Sequence, residues 1–75
     1  MKKVYTVVKV VDGLVSKVSV FADSKKAWNA AVNMASWLKL DSEELSRGIQ
    51  AMELDGYIWD SFGNAVEIRE ANLVE

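Results

Sequence analysis

The amino-acid sequence predicts an α+β fold: a ββααββ two-layer sandwich in which an antiparallel sheet carries two helices packed on one face. Two segments rich in β-branched residues flank an Asp-Gly pair near the amino terminus, and two further strand-like segments lie near the carboxyl terminus. Between these pairs are two stretches in which apolar residues recur at helical spacing. Because 75 residues is below the usual size of a domain, we expect residues 1–75 to form a single domain.

The first two strands are predicted over residues 4–11 and 14–21, with Asp12-Gly13 as the hairpin signal between them. A two-residue loop would place Val10 opposite Val15, so that even-numbered residues of one strand would share a face with odd-numbered residues of the other. We therefore favour a three-residue loop over residues 11–13, with Gly13 in the left-handed conformation of a bulge and Val10 opposite Leu14. Since a slip of one residue exchanges the faces, this register decides which side chains meet the helices.

In this register the hairpin has one face that packs on the helices and one outer face open to solvent. The helix-contacting set is mostly valine and comprises Val4, Thr6, Val8, Val10, Leu14, Ser16, Val18 and Val20. The outer set comprises Tyr5, Val7, Lys9, Val15, Lys17, Ser19 and Phe21. The outer set is more apolar than a solvated face requires, so it is a candidate docking surface.

The first helix is predicted to begin at the N-cap pair Asp23-Ser24 and to end near Lys39. Its apolar arc is wide and contains four alanines, which permit close approach to a sheet or a helix. We expect Trp28 of this helix, and Trp59 of the third strand, to enter the core. Trp37 lies at the far edge of the arc, where a small protein leaves a side chain uncovered, and is predicted to anchor an interface.

The second helix is predicted from a capping-box spacing, Asp41 with Glu44, to about Leu54, with Gly56 as the residue that ends it. Gly48 within it is assigned to close packing. The last two strands, residues 57–60 and 65–71, form a second hairpin around residues 61–64. Alternation in the fourth strand points Val66 and Ile68 inward.

Histidine, cysteine and proline are absent, and the absence of cysteine and histidine excludes several kinds of chemistry. There is no disulfide, no thiolate nucleophile and no zinc or iron–sulfur ligation through cysteine. The four glycines are dispersed and form no phosphate-binding loop, so no cofactor is expected. Acidic residues are abundant in the second half of the chain, which keeps a carboxylate-based or metal-dependent enzyme as a third hypothesis.

The amino-terminal residues give no targeting signal. Lys9 interrupts the apolar run of the first strand after five residues, which is shorter than the apolar region of a signal peptide. No stretch approaches the roughly 20 apolar residues that a membrane span requires. We therefore expect a cytoplasmic protein without membrane contact.

The charge layout is the most specific signal in the sequence. Residues 1–40 contain seven lysines against two aspartates, a balance of +5, whereas residues 41–75 contain two arginines against nine acidic residues, a balance of −7. These sum to the net charge of −2. Either the two halves complement each other within the fold, or a two-signed surface is presented to a protein partner or to a second copy.

Three functions are therefore weighed. The first is a small non-enzymatic protein-interaction module that docks a larger partner or a second copy of itself as a homodimer. Its size is that of bacterial or phage accessory or inhibitor proteins. Its partner-binding residues are predicted to be Tyr5, Val7, Lys9, Val15, Lys17, Phe21 and Trp37. The alternative is a single-stranded nucleic-acid binder that uses Tyr5 and Phe21 with Lys3, Lys9 and Lys17 on the outer hairpin face. An enzyme that works through paired carboxylates or a metal is third.

Overall fold

A computed structural model of the protein, which describes residues 2–73, contains one four-stranded antiparallel sheet and two helices. The elements follow in the predicted order: β1 (Lys2–Val11), β2 (Leu14–Phe21), α1 (Ser24–Ala35), α2 (Ser42–Asp55), β3 (Tyr57–Trp59) and β4 (Ala65–Leu73). The α+β fold class is confirmed. Within the described residues, no helix is long and apolar enough to span a membrane.

The strand order in the sheet is β2-β1-β4-β3. The two hairpins therefore lie side by side, with β1 and β4 paired at the centre from Val4 opposite Ala71 to Val10 opposite Ala65. α1 contacts β1, β2 and β4, whereas α2 contacts β3. The first half of the chain thus occupies one side of the molecule and the second half the other.

The first hairpin has a different register from the predicted one. Asp12 and Gly13 alone form the loop, with φ angles of 52° and 80°, and Val10 lies opposite Val15. Positive φ at both loop residues is the conformation of a type I′ turn, whose twist matches that of the strands. The bulge lies further along β2: Lys9 pairs with Lys17 and Val10 with Val15, which leaves Ser16 as the extra residue.

The predicted assignment of the two hairpin faces is wrong. Val7 is fully buried beneath the helices, and Tyr5 and Phe21, which lie opposite each other, pack against the same core. Lys9 and Lys17 lie on this covered side as well, whereas Val15 points to the open side because of the bulge at Ser16. The valines predicted to meet the helices are the ones left in solvent.

The reason for this arrangement is the shape of α1. Its alanines at positions 27, 31 and 35 are fully buried and let the helix approach the central strands. Beside this flat helix surface, space remains for large side chains. Tyr5 and Phe21 fill it, since their side chains have a larger volume than the valines of the opposite face. Val7, Val66, Met52, Leu38 and Ile58 complete the buried core.

α1 is shorter than predicted and ends at Ala35. The backbone N–H groups of Trp37 and Leu38 donate to the carbonyls of Met34 and Ala35, which tightens the last turn and directs Leu38 into the core. Trp28 packs partly buried against the core as expected, but Trp59, which was predicted to be buried, is 62% exposed. Trp59 alternates with buried Ile58 and therefore faces the other side of the sheet.

The ends of α2 confirm the sequence prediction. The Asp41 side chain accepts a hydrogen bond from the Glu44 backbone at 2.8 Å, and the Glu44 side chain accepts one from the Asp41 backbone. The bond from the Glu44 backbone lowers the pKa of the Asp41 carboxyl. Gly56, with a φ of 83°, ends the helix in the left-handed conformation.

Gly48 is the point at which α2 touches the sheet. A Cβ at this position would lie 2.4 Å from Cδ1 and 2.8 Å from Cγ1 of Ile58, which is buried in β3. The predicted role of Gly48 in close packing is confirmed, with a strand as the neighbour. A larger residue here would require the buried Ile58 side chain to shift or α2 to move away from β3.

We predict that Gly48→Ala lowers the free energy of unfolding by about 1–3 kcal/mol, because the new methyl group overpacks the contact with Ile58. Urea denaturation followed by circular dichroism measures the change. In an Ile58→Ala background, where the clashing atoms are absent, the same substitution should instead stabilise by about 0.5–1 kcal/mol through helix propensity. Equal destabilisation in both backgrounds would contradict this account of Gly48.

Candidate interaction surface

The face of the sheet opposite the helices, here called the open face, is covered by nothing within residues 2–73. Strand alternation assigns it the side chains of Val4, Thr6, Val8, Val10, Val15, Val18, Val20, Tyr57, Trp59, Ala65, Glu67, Arg69 and Ala71. Its two edges are the most accessible parts: Val15, Val18 and Val20 on β2 are 56–65% exposed, and Tyr57 and Trp59 on β3 are 48% and 62% exposed. Monomeric proteins rarely expose several large apolar side chains on one face.

The open face carries little charge. Among the side chains that the structure describes there, only Glu67 and Arg69 are ionised, and these two form an ion pair with each other. They lie in β4, between the valines of the first hairpin and the two aromatic residues of β3. The face is therefore apolar toward both edges and electrically neutral in sum.

Most of the residues predicted to bind a partner lie on the opposite side of the sheet. Val7 is buried beneath α1, and Tyr5 and Phe21 are partly buried against the same core, so these three residues lie on the covered side of the sheet. Lys3 forms an ion pair of 2.9 Å with Glu70, and the hydrogen bond in this pair raises the pKa of Lys3. Val15 is the one member of the predicted set on the open face.

Lys9 and Trp37 were both predicted to bind a partner. They contact each other, but neither lies on the open face. The Lys9 ammonium lies 4.1 Å from the centre of the Trp37 ring, a cation–π contact across the end of α1. A second contact of this kind joins Lys39 to Phe62, at 5.0 Å. Trp37 remains 46% exposed. Its predicted role as an interface anchor stays a prediction.

The buried carboxylate of Asp60 joins three loops at one end of the sheet. One of its oxygens accepts hydrogen bonds from the backbone N–H groups of Phe62 and Asn64, at 2.8 and 3.1 Å. The other accepts from the Asn64 amide and from the backbone N–H of Lys39, at 3.0 and 3.1 Å. Asn64 in turn accepts from the N–H of Asp12 in the first hairpin loop, at 3.2 Å. The junction thus connects both hairpin loops to the segment between the helices.

The ionised form of Asp60 is strongly favoured. Burial alone raises the pKa of this carboxyl, but the four donated hydrogen bonds outweigh burial and lower the pKa to about 2. A perturbed carboxyl is a common mark of an active site. Here the shift moves the pKa away from neutrality, and both oxygens already accept two hydrogen bonds each. The group therefore has a structural role and is unsuited to general acid–base catalysis.

In the described part of the chain, no three acidic residues come together in a way that would hold a metal ion. A concavity of about 470 Å³ between α2 and β3 is a shallow groove. Its ionisable side chains include Glu44, which caps α2, and Arg47, which lies 3.7 Å from Glu43. Such a groove offers no pair of free carboxylates facing each other.

The exposed residues Val18, Val20, Tyr57 and Trp59 were missed by the sequence analysis. In the predicted register one residue set of the first hairpin is mostly valine and the other contains two lysines, so the composition of the two sets favoured the wrong set for the core. A usable signal was present in β3, where Ile58 lies between two large aromatic residues in a three-residue strand. If Ile58 is the inward residue, Tyr57 and Trp59 must both point outward.

Comparison with known proteins gives no assignment: no protein-family model, curated protein or solved structure matches the chain.

We predict that Asp60→Asn destabilises the fold by about 2–4 kcal/mol, because the amide replaces one acceptor oxygen and meets backbone donors. The folded-state pKa of Asp60, about 2, is below its ordinary value of 3.8. The stabilisation is therefore complete above the ordinary value and is lost as the pH falls through about 2. Urea midpoints of both proteins between pH 6 and pH 2 should converge at the acidic end.

Asp55→Asn is the matched control, because Asp55 is exposed at the end of α2. It should change the free energy of unfolding by less than about 0.5 kcal/mol at any of these pH values. If the urea midpoints of the wild type and Asp60→Asn differ by the same amount at every pH down to 2, the ionised carboxylate is not what holds the three loops.

Proposed function

We propose that the protein is a non-enzymatic protein-interaction module that uses the open face of its sheet to bind a second copy of itself. The observation that carries this proposal is the exposure of five large apolar side chains on that face, at its two edges. Solvating such a surface costs free energy of about 25 cal/mol per Å² of apolar area. Burial against another sheet recovers this free energy.

The composition of the open face favours a protein surface over a nucleic acid. Binding to phosphate groups requires lysine or arginine side chains that are free to neutralise them. On the open face the one described cation, Arg69, is paired with Glu67. The lysines of the nucleic-acid alternative, Lys9 and Lys17, belong to the covered side together with Tyr5 and Phe21.

The size of the open face suits association of two copies. Its strands contain 10, 8, 9 and 3 residues. With strands about 4.8 Å apart and a rise of about 3.3 Å per residue, the face covers about 500 Å². Two copies stacked face to face would bury about 1,000 Å² or more, which is the lower limit for a specific interface. Two sheets packed in this way form a β-sandwich, with the Glu67–Arg69 pair of each copy inside it.

Sedimentation equilibrium tests the proposal through Val18→Lys. The wild type should be dimeric at about 100 µM, and the variant should be monomeric because a lysine in the middle of β2 would place an unpaired charge in the interface. The substituted side chain is solvent-exposed in the single chain, so the circular dichroism spectrum should not change.

The matched control is Leu54→Lys, which introduces the same side chain at an exposed apolar position on α2, away from the sheet. This variant should dimerise like the wild type. A wild type that stays monomeric at about 100 µM, or a dimer that Leu54→Lys weakens as much as Val18→Lys, would overturn the proposal.

A further inference from the structure

The charge asymmetry of the sequence is retained in space. The lysine-rich first half forms β1, β2 and α1, and the acidic second half forms α2, β3 and β4. Because the strand order is β2-β1-β4-β3, the two halves divide the sheet down its middle. At the two outer sides of the sheet the described charges differ in sign: Lys17 lies on β2, whereas α2, which packs on β3, carries Glu43, Glu44, Glu53 and Asp55 against Arg47.

A face-to-face pair of such sheets can be related by two kinds of twofold axis that lie between the sheets. An axis perpendicular to the strands places β2 over β2 of the other copy, so that positive lies on positive and negative on negative. An axis parallel to the strands, above the space between β1 and β4, places β2 over β3 and β1 over β4. The second arrangement opposes unlike halves, which favours encounter and orientation.

The apolar side chains of the two edges also match in the second arrangement. Strand pairing places Trp59, Ala65, Val10 and Val15 in one row across the open face, and Tyr57, Glu67, Val8 and Val18 in the next. An axis parallel to the strands keeps each row in place and exchanges the edges. Trp59 of one copy then meets Val15 of the other, and Tyr57 meets Val18. Aromatic rings against β-branched side chains are a favourable pairing on sheets.

We infer that the two copies associate about a twofold axis parallel to the strands, with the β2 edge of each over the β3 edge of the other. This inference rests on the proposed self-association and specifies its geometry. The contact is the same on both copies, so it closes at two chains and covers the open face of each. Each copy contributes valines at one edge and aromatic rings at the other.

The absence of cysteine from the chain allows a direct test by thiol cross-linking. Ser16, the bulge residue of β2, and Ser61, two residues after Trp59, are exposed and small. The variants Ser16→Cys and Ser61→Cys are prepared separately, shown to dimerise by sedimentation, mixed, and treated with a short bismaleimide. The mixture should give a covalent dimer, because Ser16 of one copy lies near Ser61 of the other. Neither variant alone should, because its two thiols lie at opposite edges of the sandwich.

The outcomes separate the geometry from the association itself. A covalent dimer of Ser16→Cys alone would place β2 over β2 and overturn the inference, while self-association would stand. Dimers that cross-link in neither the mixture nor the single variants would overturn the inference in the same way. Variants that are monomeric, like a monomeric wild type, would contradict self-association, and the geometry would fall with it. Cross-linking confined to the mixture supports both.

Discussion

The packing of α1 on the two central strands is the constraint on which the rest of the structure depends. Three fully buried alanines bring the helix down onto β1 and β4, where Val7 and Val66 are also fully buried. Tyr5 and Phe21 fill the space beside it. Since α2 packs on the same side, against β3, both helices cover the same face of the sheet. The other face keeps its valines and aromatic rings in solvent, and the proposed function follows from that asymmetry.

The order and type of the elements could be predicted because each has a local signal. Asp23 caps α1, the Asp41–Glu44 box begins α2, Gly56 ends it, and Asp12-Gly13 turns the first hairpin. These signals depend on a few neighbouring residues and on backbone conformation. The bulge at Ser16 has no such signal, because serine neither requires nor forbids it. The bulge separates Val15 from Tyr5 and Val7, with which it was predicted to share a face, and leaves it on the open face.

The candidate surface was harder to predict than the fold for a physical reason. Both residue sets of the first hairpin satisfy strand alternation, and the set with the lysines and the aromatic residues is the one that packs on α1. The sequence analysis used the lysines to choose the solvent side, yet Lys9 lies over the Trp37 ring at the rim of the covered side. Long lysine side chains reach water from such positions, so they are weak markers of an outer face. The charge asymmetry of the two halves, by contrast, was visible in the sequence, and the strand order places Lys17 of β2 and the acidic residues of α2 toward opposite edges of the sheet.

A dilution series followed by ¹H–¹⁵N NMR tests most directly whether the open face is the interface between two copies. The three tryptophans provide indole signals at different places: Trp59 on the open face, Trp28 against the core and Trp37 beside Lys9. On dilution from about 1 mM to about 10 µM, the Trp59 signal and the amide signals of Val15, Val18 and Val20 should shift together, while the signal of Trp37 stays in place. Signals that are independent of concentration, or changes confined to Trp37 and its surroundings, would contradict the account.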